Sequence, residues 1–271
     1  MTTYVYLLTE GVHDVAFLGR LLQASLAFER VSQESDLDPA WTRILPTKWP
    51  HGGSLRPSVP APSFYRHLGS GISAAVVNAQ GISELAKRLK THRKALDLDG
   101  VSLDAVGVVL DADAKETPTR RFNRMADALT ETGFPRPPAA DVVAGAPRTG
   151  VFVLPGGGAP GTLEDLLLEC SGLVYPTLRS HAERFVDGLD RSSDFVADEL
   201  EDLKAPAGRH KAVVAAMGAI LKPGRPIQAT LEDHRWIEPR TLKLPRISAI
   251  LKFLSDLTGV QPSASEPTNA A

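Results

Sequence analysis

Tyr4-Val5-Tyr6-Leu7-Leu8-Thr9-Glu10-Gly11-Val12-His13-Asp14 carries the sharpest local signal in the chain. The run from Tyr4 to Leu8 is too short for a helix and rich in β-formers. An unbroken apolar run of that length predicts a strand buried on both faces, as in a parallel sheet. The period then changes. From Asp14 to Leu22 the apolar residues fall at Val15, Leu18 and Leu22, which is helical spacing. Gly11 stands between the two patterns, where the backbone must turn sharply from strand into helix. Strand, turn and helix make the first half of a βαβ unit.

The alternation recurs downstream. Ile72 to Val77 predicts a second buried strand, and Gly81 leads into Ser83, read as the N-cap of an amphipathic helix ending near Leu96. Ala105 to Leu110 predicts a third strand. Thr117 and Pro118 then suit the N-cap and first position of a helix whose stripe is Phe122, Met125, Ala126 and Leu129, stopped by Gly133. Val151 to Leu154 predicts a fourth strand. After a Gly-rich turn, Thr162 caps a helix with Leu163, Leu166, Leu167 and Cys170 on one side. The expected fold is therefore α/β, a mostly parallel sheet flanked by helices with right-handed connections. Residues 31–70 interrupt it with Pro46, Pro50, Pro57, Pro60 and Pro62 beside Gly52 and Gly53, and read as a long loop or insertion. These elements define a domain over residues 1–175. Helical patterns at 178–203, 210–221 and 246–257 suggest a smaller helical region over 176–260, packed on the first. The small, polar residues 261–271 read as a disordered tail.

Composition narrows the function classes. The single cysteine, Cys170, excludes a disulfide framework within the chain and a cysteine-rich zinc site. The opening Met1-Thr2-Thr3-Tyr4 lacks the basic and apolar regions of a signal peptide, and no apolar run approaches the roughly 18 residues of a membrane span. A cytoplasmic protein without membrane contact is the expectation. The net charge of −2 announces no polyanion partner, so any such site must be local.

The acidic residues carry the chemistry. Glu10 and Asp14 follow the first strand; Asp111 and Asp113 follow the third. In a parallel α/β sheet ligands bind beyond the carboxyl ends of the strands, where both groups fall. Four carboxylates converging at one edge resist ionising together. A hard divalent cation resolves that conflict, and oxygen ligands favour Mg²⁺ or Mn²⁺. The competing reading is local: an Asp after a strand also serves as turn former or helix cap. Glu164 and Asp165 invite the same doubleness, because Thr162-x-x-Asp165 resembles a capping box and acids suit a first helical turn. Gly156-Gly157-Gly158 and Gly161 could let backbone approach a phosphate, yet no Walker Lys-Ser/Thr pair follows. Lys211, after His210, could neutralise a phosphate or developing negative charge, or stand solvated. His13 reads as a local hydrogen-bonding residue. Glu183 to Asp202 holds eight acids and two bases, whereas Leu203 to Lys252 holds ten Lys or Arg and three acids. That basic stretch, with Trp236, could follow a phosphate backbone, pair with the acidic stretch, or dock a partner.

Three stretches together resemble a known family. Leu7-Leu8-Thr9-Glu10-Gly11 with Asp14 and Phe17-Leu18, then Val108-Val109-Leu110-Asp111-Ala112-Asp113, then Pro160-Gly161-Thr162-Leu163-Glu164-Asp165, look like the Toprim signature. That domain is shared by topoisomerases, bacterial primases, small ribonucleases and the OLD-type (overcoming lysogenization defect) nucleases. The closer likeness is to small stand-alone OLD-like Toprim proteins, over about residues 4–170. The interval from Glu10 to Asp111 is long for the family, which the Pro-rich insertion accommodates. The resemblance implies a Rossmann-like Toprim fold and a metal-dependent nuclease cleaving DNA or RNA. Glu10 would be a metal ligand or general base, Asp111 and Asp113 metal ligands, and Asp14 a support from the following helix. Glu164, with Asp165 next, would complete a second metal site. It further implies a separately encoded ABC-type ATPase partner, since this sequence has no ATPase motif, and defence against phage as context. Two other readings compete. A non-catalytic Toprim module would bind nucleic acid or a partner, though it has no need of three clustered acids. The apolar strand ending in Asp-x-Asp also resembles haloacid-dehalogenase-type phosphatases, but there it normally opens the domain and continues with Thr or Val, not Ala114.

Overall fold

A computed structural model of the chain describes residues 2–46, 61–112, 116–189, 195 and 200–262. Seven strands form one sheet: β1 (Thr3–Thr9), β2 (Glu29–Val31), β3 (Ser63–His67), β4 (Ile72–Asn78), β5 (Ala105–Asp111), β6 (Val143–Ala144) and β7 (Arg148–Leu154). Their spatial order is β2-β3-β4-β1-β5-β7-β6. The middle four, β4, β1, β5 and β7, run parallel, while β3 and β6 flank them antiparallel and β2 pairs antiparallel with β3. The fold is α/β, as the apolar runs predict.

Each central strand is apolar on both sides because each side has its own helical layer. Val5 and Leu7 of β1 enter one core; Tyr6 and Leu8 enter the other. On β7, Phe152 and Leu154 face the first core, Val151 and Val153 the second. The first core is roofed by α1 (Val12–Leu26), α4 (Leu163–Val174), α5 (Pro176–Leu189), α7 (Gly208–Leu221), α8 (Ile227–Asp233) and α9 (Pro245–Thr258). The second is roofed by α2 (Leu85–Leu98) and α3 (Pro118–Glu131), joined by Trp41 and Ile44 from a 3₁₀ turn. Residues after 176 thus share the first core rather than forming a core of their own. The short α6 (Glu201–Lys204) leads into α7.

Helix α9 reaches the sheet through a gap in its side chains. Gly107 of β5 and Gly150 of β7 are register partners. A Cβ at Gly150 would lie 2.6 Å from the Phe253 ring, and one at Gly107 would lie 2.6 Å from Leu257. Two adjacent glycines therefore make a bare strip of sheet into which Phe253 and Leu257 settle.

Several expectations are corrected. The insertion over 31–70 is not all loop: among the described residues it holds three 3₁₀ turns and β3, which hydrogen-bonds along β4 from Ser63 to His67. Residues 47–60, with Pro50, Pro57 and Pro60, lie outside the described residues. Ser83 does not cap α2. A 3₁₀ turn over Ile82–Glu84 precedes that helix, and Glu84 takes the N-cap position without a side-chain hydrogen bond. Thr117 does cap α3, accepting from the Arg120 amide, with Pro118 in the first turn. Of the helical pattern over 178–203, residues to Leu189 lie in α5 and 201–203 in α6, while 190–194 and 196–199 lie outside the described residues; α8 is an additional helix. Residues 263–271 of the expected tail lie outside the described residues. Among the described residues no helix is long and apolar enough to cross a membrane.

Candidate functional site

Three parallel strands deliver polar residues to one edge. β1 ends at Thr9 and hands over to Glu10; β4 ends on Asn78; β5 ends on Asp111. The crossovers then supply helix N-termini. Strand β1 turns at Gly11 into α1, whose third residue, Asp14, accepts from the Gly11 amide at 2.8 Å. Helix α4 repeats the device: Asp165 accepts from the Thr162 amide at 2.7 Å. Between the two N-termini, Asp111 Oδ1 accepts from the Leu163 amide at 3.0 Å, tying the end of β5 to the start of α4. Ala112 pairs with Gly161 in an isolated bridge that holds this turn against β5.

These groups enclose a cavity of about 460 Å³, lined by Glu10, His13, Asp14, Asn78, Gln80, Asp111, Glu164 and Lys211, with backbone from Gly11 and Gly81. Glu164 is 6% exposed and accepts from the Thr162 hydroxyl at 2.7 Å. His13 Nδ1 lies 4.0 Å from its other oxygen. Lys211, at the start of α7, adds an ammonium from the far side of the chain.

The electrostatics follow from crowding. Burial pushes the Asp14 carboxyl up to about 7, with Glu10 and Glu164 adding repulsion and the Gly11 amide and Lys211 opposing it. Asp111 is raised well above the ordinary carboxylate range, first by burial and then by Asp14, Glu164 and Glu10. Burial holds the His13 imidazole below its ordinary value, so it is neutral near pH 7 despite Glu164. The pocket is a place where further negative charge is unfavourable.

Sequence and structure can be matched residue by residue. Glu10, Asp14, Asp111, Glu164 and Lys211 meet in the cavity, the first three because β1 and β5 are neighbours in the sheet. Asp113 lies outside the described residues. Asp165 is not among the residues that line the cavity: it caps α4 and pairs with His210 at 2.9 Å. Neighbours on a helix point about 100° apart, and Glu164 took the inward direction. Sequence reasoning missed Asn78, Gln80 and Arg121. Asn78 had the same signal as Glu10 and Asp111, a polar residue at the end of an apolar strand. Arg121 stands one turn before Met125 in the buried stripe of α3, is 3% exposed, and puts its guanidinium 3.6 Å from both Glu10 and Glu116. A charge at a core position was the signal for it.

Half of the ten bases over 203–252 pair with acids of the chain. Arg209 pairs with Asp187, Lys222 with Asp233, Arg240 with Glu238, Arg246 with Glu169 and Lys252 with Asp256. Arg235 stacks over the Tyr175 ring.

The donors present fit a hard divalent cation. They are carboxylate and amide oxygens, and the raised Asp14 and Asp111 would be relieved by it. Among the described residues no three Asp, Glu, His or Cys side chains come together as a group that could hold a metal ion. Mg²⁺ commonly takes only one or two carboxylates and completes its shell with water, so the donor set suits it.

The chain belongs, over residues 4–257, to the family described as "Protein of unknown function (DUF3226)". Among solved structures it is similar to the crystal structure of hypothetical protein PH0156 from Pyrococcus horikoshii OT3. The TM-score is 0.53 at 16% identity, covering 94% of this chain and 95% of that one, a likeness of fold. No curated protein matches the chain.

Proposed function

We propose that this pocket is a Mg²⁺- or Mn²⁺-dependent centre for phosphodiester hydrolysis in DNA or RNA, of the Toprim kind that the motifs resemble. The observation that carries the reading is the convergence of Glu10, Asp14, Asp111 and Glu164 on one cavity at the carboxyl edge of a parallel sheet, with burial and mutual repulsion raising Asp14 and Asp111. Glu10 and Asp111 would hold the metal, with Asp113 carried over from the resemblance. Glu164 would face a second ion. The bound cation would supply an activated water and stabilise the leaving oxygen. The chain's own residues do the rest. Glu10 is placed to accept a proton, Lys211 to balance charge growing on the phosphate, and neutral His13 to hydrogen-bond without adding charge. The protein would be cytoplasmic, and by the same resemblance it would have a separately encoded ABC-type ATPase as partner and phage defence as setting.

A non-catalytic module that binds nucleic acid or a partner is the second reading. It is favoured by Arg121, which lies 3.6 Å from Glu10 and already balances that carboxylate. One pair of experiments separates them. Calorimetry should show Mn²⁺ binding that an Asp111→Ala, Asp113→Ala double variant loses. Glu10→Gln should abolish cleavage of labelled single- and double-stranded oligonucleotides while its circular dichroism stays native. Undiminished Mn²⁺ binding by the double variant would remove the metal site, and full cleavage by Glu10→Gln would leave the binding module.

A further inference from the structure

Residues 87–94, Lys87-Arg88-Leu89-Lys90-Thr91-His92-Arg93-Lys94, hold five Lys or Arg and no acid, in a chain whose net charge is −2. The apolar and buried members, Leu89 and His92, face the second core, where His92 meets the Tyr6 hydroxyl at 2.8 Å. Arg93 is engaged with Asp97 and the Phe134 ring. Lys87, Lys90 and Lys94 are exposed. Their spacing of three and four residues puts them on one line along the helix, about 10 Å long at roughly 1.5 Å per residue. Lys87 pairs with Glu84, whereas Lys90 and Lys94 make no ion pair among the described residues. Arg120, exposed at the first turn of the neighbouring α3, makes none either.

The position of this line matters as much as its charge. Gln80 and Gly81 line the carboxylate cavity, and the 3₁₀ turn over Ile82–Glu84 runs from them straight into α2. Arg120 is followed by Arg121, which touches Glu10. The cations of α2 and α3 therefore begin at the mouth of the pocket. Of the ten in 203–252, five are tied to the chain's own acids and Arg235 lies over the Tyr175 ring.

We infer that the outer face of α2, continued by Arg120, is the track along which a nucleic-acid phosphate backbone runs into the pocket. The inference rests on the reading of the pocket as a nucleic-acid site, and it moves the binding surface off the basic stretch of 203–252. A row of exposed lysines matches the evenly spaced charge of a phosphate backbone and asks for no base contact, so binding should be independent of sequence.

The test is a Lys90→Gln, Lys94→Gln, Arg120→Gln triple variant, assayed by fluorescence anisotropy with a labelled oligonucleotide, single- or double-stranded, in EDTA across KCl concentrations. All three side chains are exposed, and a thermal melt checks that folding is unchanged. Each lost phosphate contact should weaken binding about five- to eightfold at 0.1 M KCl and flatten the log–log salt slope by about 0.7 to 0.9. A Lys222→Gln, Arg240→Gln control should bind like wild type. Mn²⁺ calorimetry on the triple variant should be unchanged. If wild type takes up no Mn²⁺ while oligonucleotide binding still follows the α2 substitutions, the catalytic reading falls and the track stands. Failure of the wild-type chain to bind either oligonucleotide, as expected if this face serves an acidic protein, overturns the inference. Unchanged slopes in the triple variant overturn it too.

Discussion

Asp14→Asn should make the apo-protein more stable at neutral pH, a direction opposite to that of most buried substitutions. Asp14 is 6% exposed and its carboxyl is pushed up to about 7, against an ordinary 3.8. The folded state thus prefers the protonated acid. Below pH 3.8 both states carry the proton and the site costs nothing. Above it the unfolded chain loses its proton first, so stability falls by about 1.4 kcal/mol per pH unit until the folded-state value is passed. The full penalty above pH 7 is on the order of 4 kcal/mol, of which roughly 2 develops between pH 5 and 7. Asparagine removes the charge and keeps a side-chain oxygen to accept from the Gly11 amide, now 2.8 Å away. It also removes the largest charge repulsion on Asp111. Urea denaturation in EDTA at pH 5, 6, 7 and 8 should give a wild-type stability that declines and a variant curve that is flatter and higher at pH 8. Adding Mn²⁺ should raise wild type at pH 8 far more than the variant, since metal binding to the folded state alone stabilises it. Parallel pH curves, or a variant less stable than wild type at pH 8, would refute the claim that Asp14 is a strained acid.

Three further outcomes follow from particular contacts. Gly150→Ala should destabilise by about 1–3 kcal/mol in a denaturant melt, because its Cβ would overlap the Phe253 ring; a neutral result would mean that α9 moves aside freely. Thr162→Ala, which loses an N-terminal hydroxyl beside Glu164, should cost about 1 kcal/mol, and Thr162→Ser should restore most of it. Cys170 is fully buried and its thiol is pushed up to about 12 by that burial, so a thiol reagent at pH 8 should leave native protein unlabelled and react at the rate of unfolding.

The four parallel strands were legible because each is a short run apolar on both faces, and the acids at their ends were legible by position alone. The antiparallel margins were not. β6 has two residues and β2 three, too few for any period to register. β3 follows the Pro-rich stretch and carries Arg66 and His67, which masks its alternation. Within the site, Glu10, Asp14 and Asp111 were legible by position, whereas the difference between Glu164 and Asp165 was not, since the roughly 100° between neighbours on α4 decides it. Arg121 was hidden because a guanidinium is expected at the surface. The excess of bases over 203–252 left its role open for a related reason: charge counted along the sequence does not show partners such as Asp187 and Glu169, which come from other helices.

The glycine strip under α9 also bears on how the chain comes to be assembled during synthesis. All seven strands leave the ribosome before Phe253 does, yet Gly107 and Gly150 cannot cover one another, and the sheet above them stays wet until residues 245–258 arrive. A nascent chain halted at residue 240 would carry the acidic pocket and an uncovered strip of β5 and β7 together. Such a fragment should bind hydrophobic dyes and attract chaperones, and release should coincide with the emergence of Leu257 rather than with completion of the sheet.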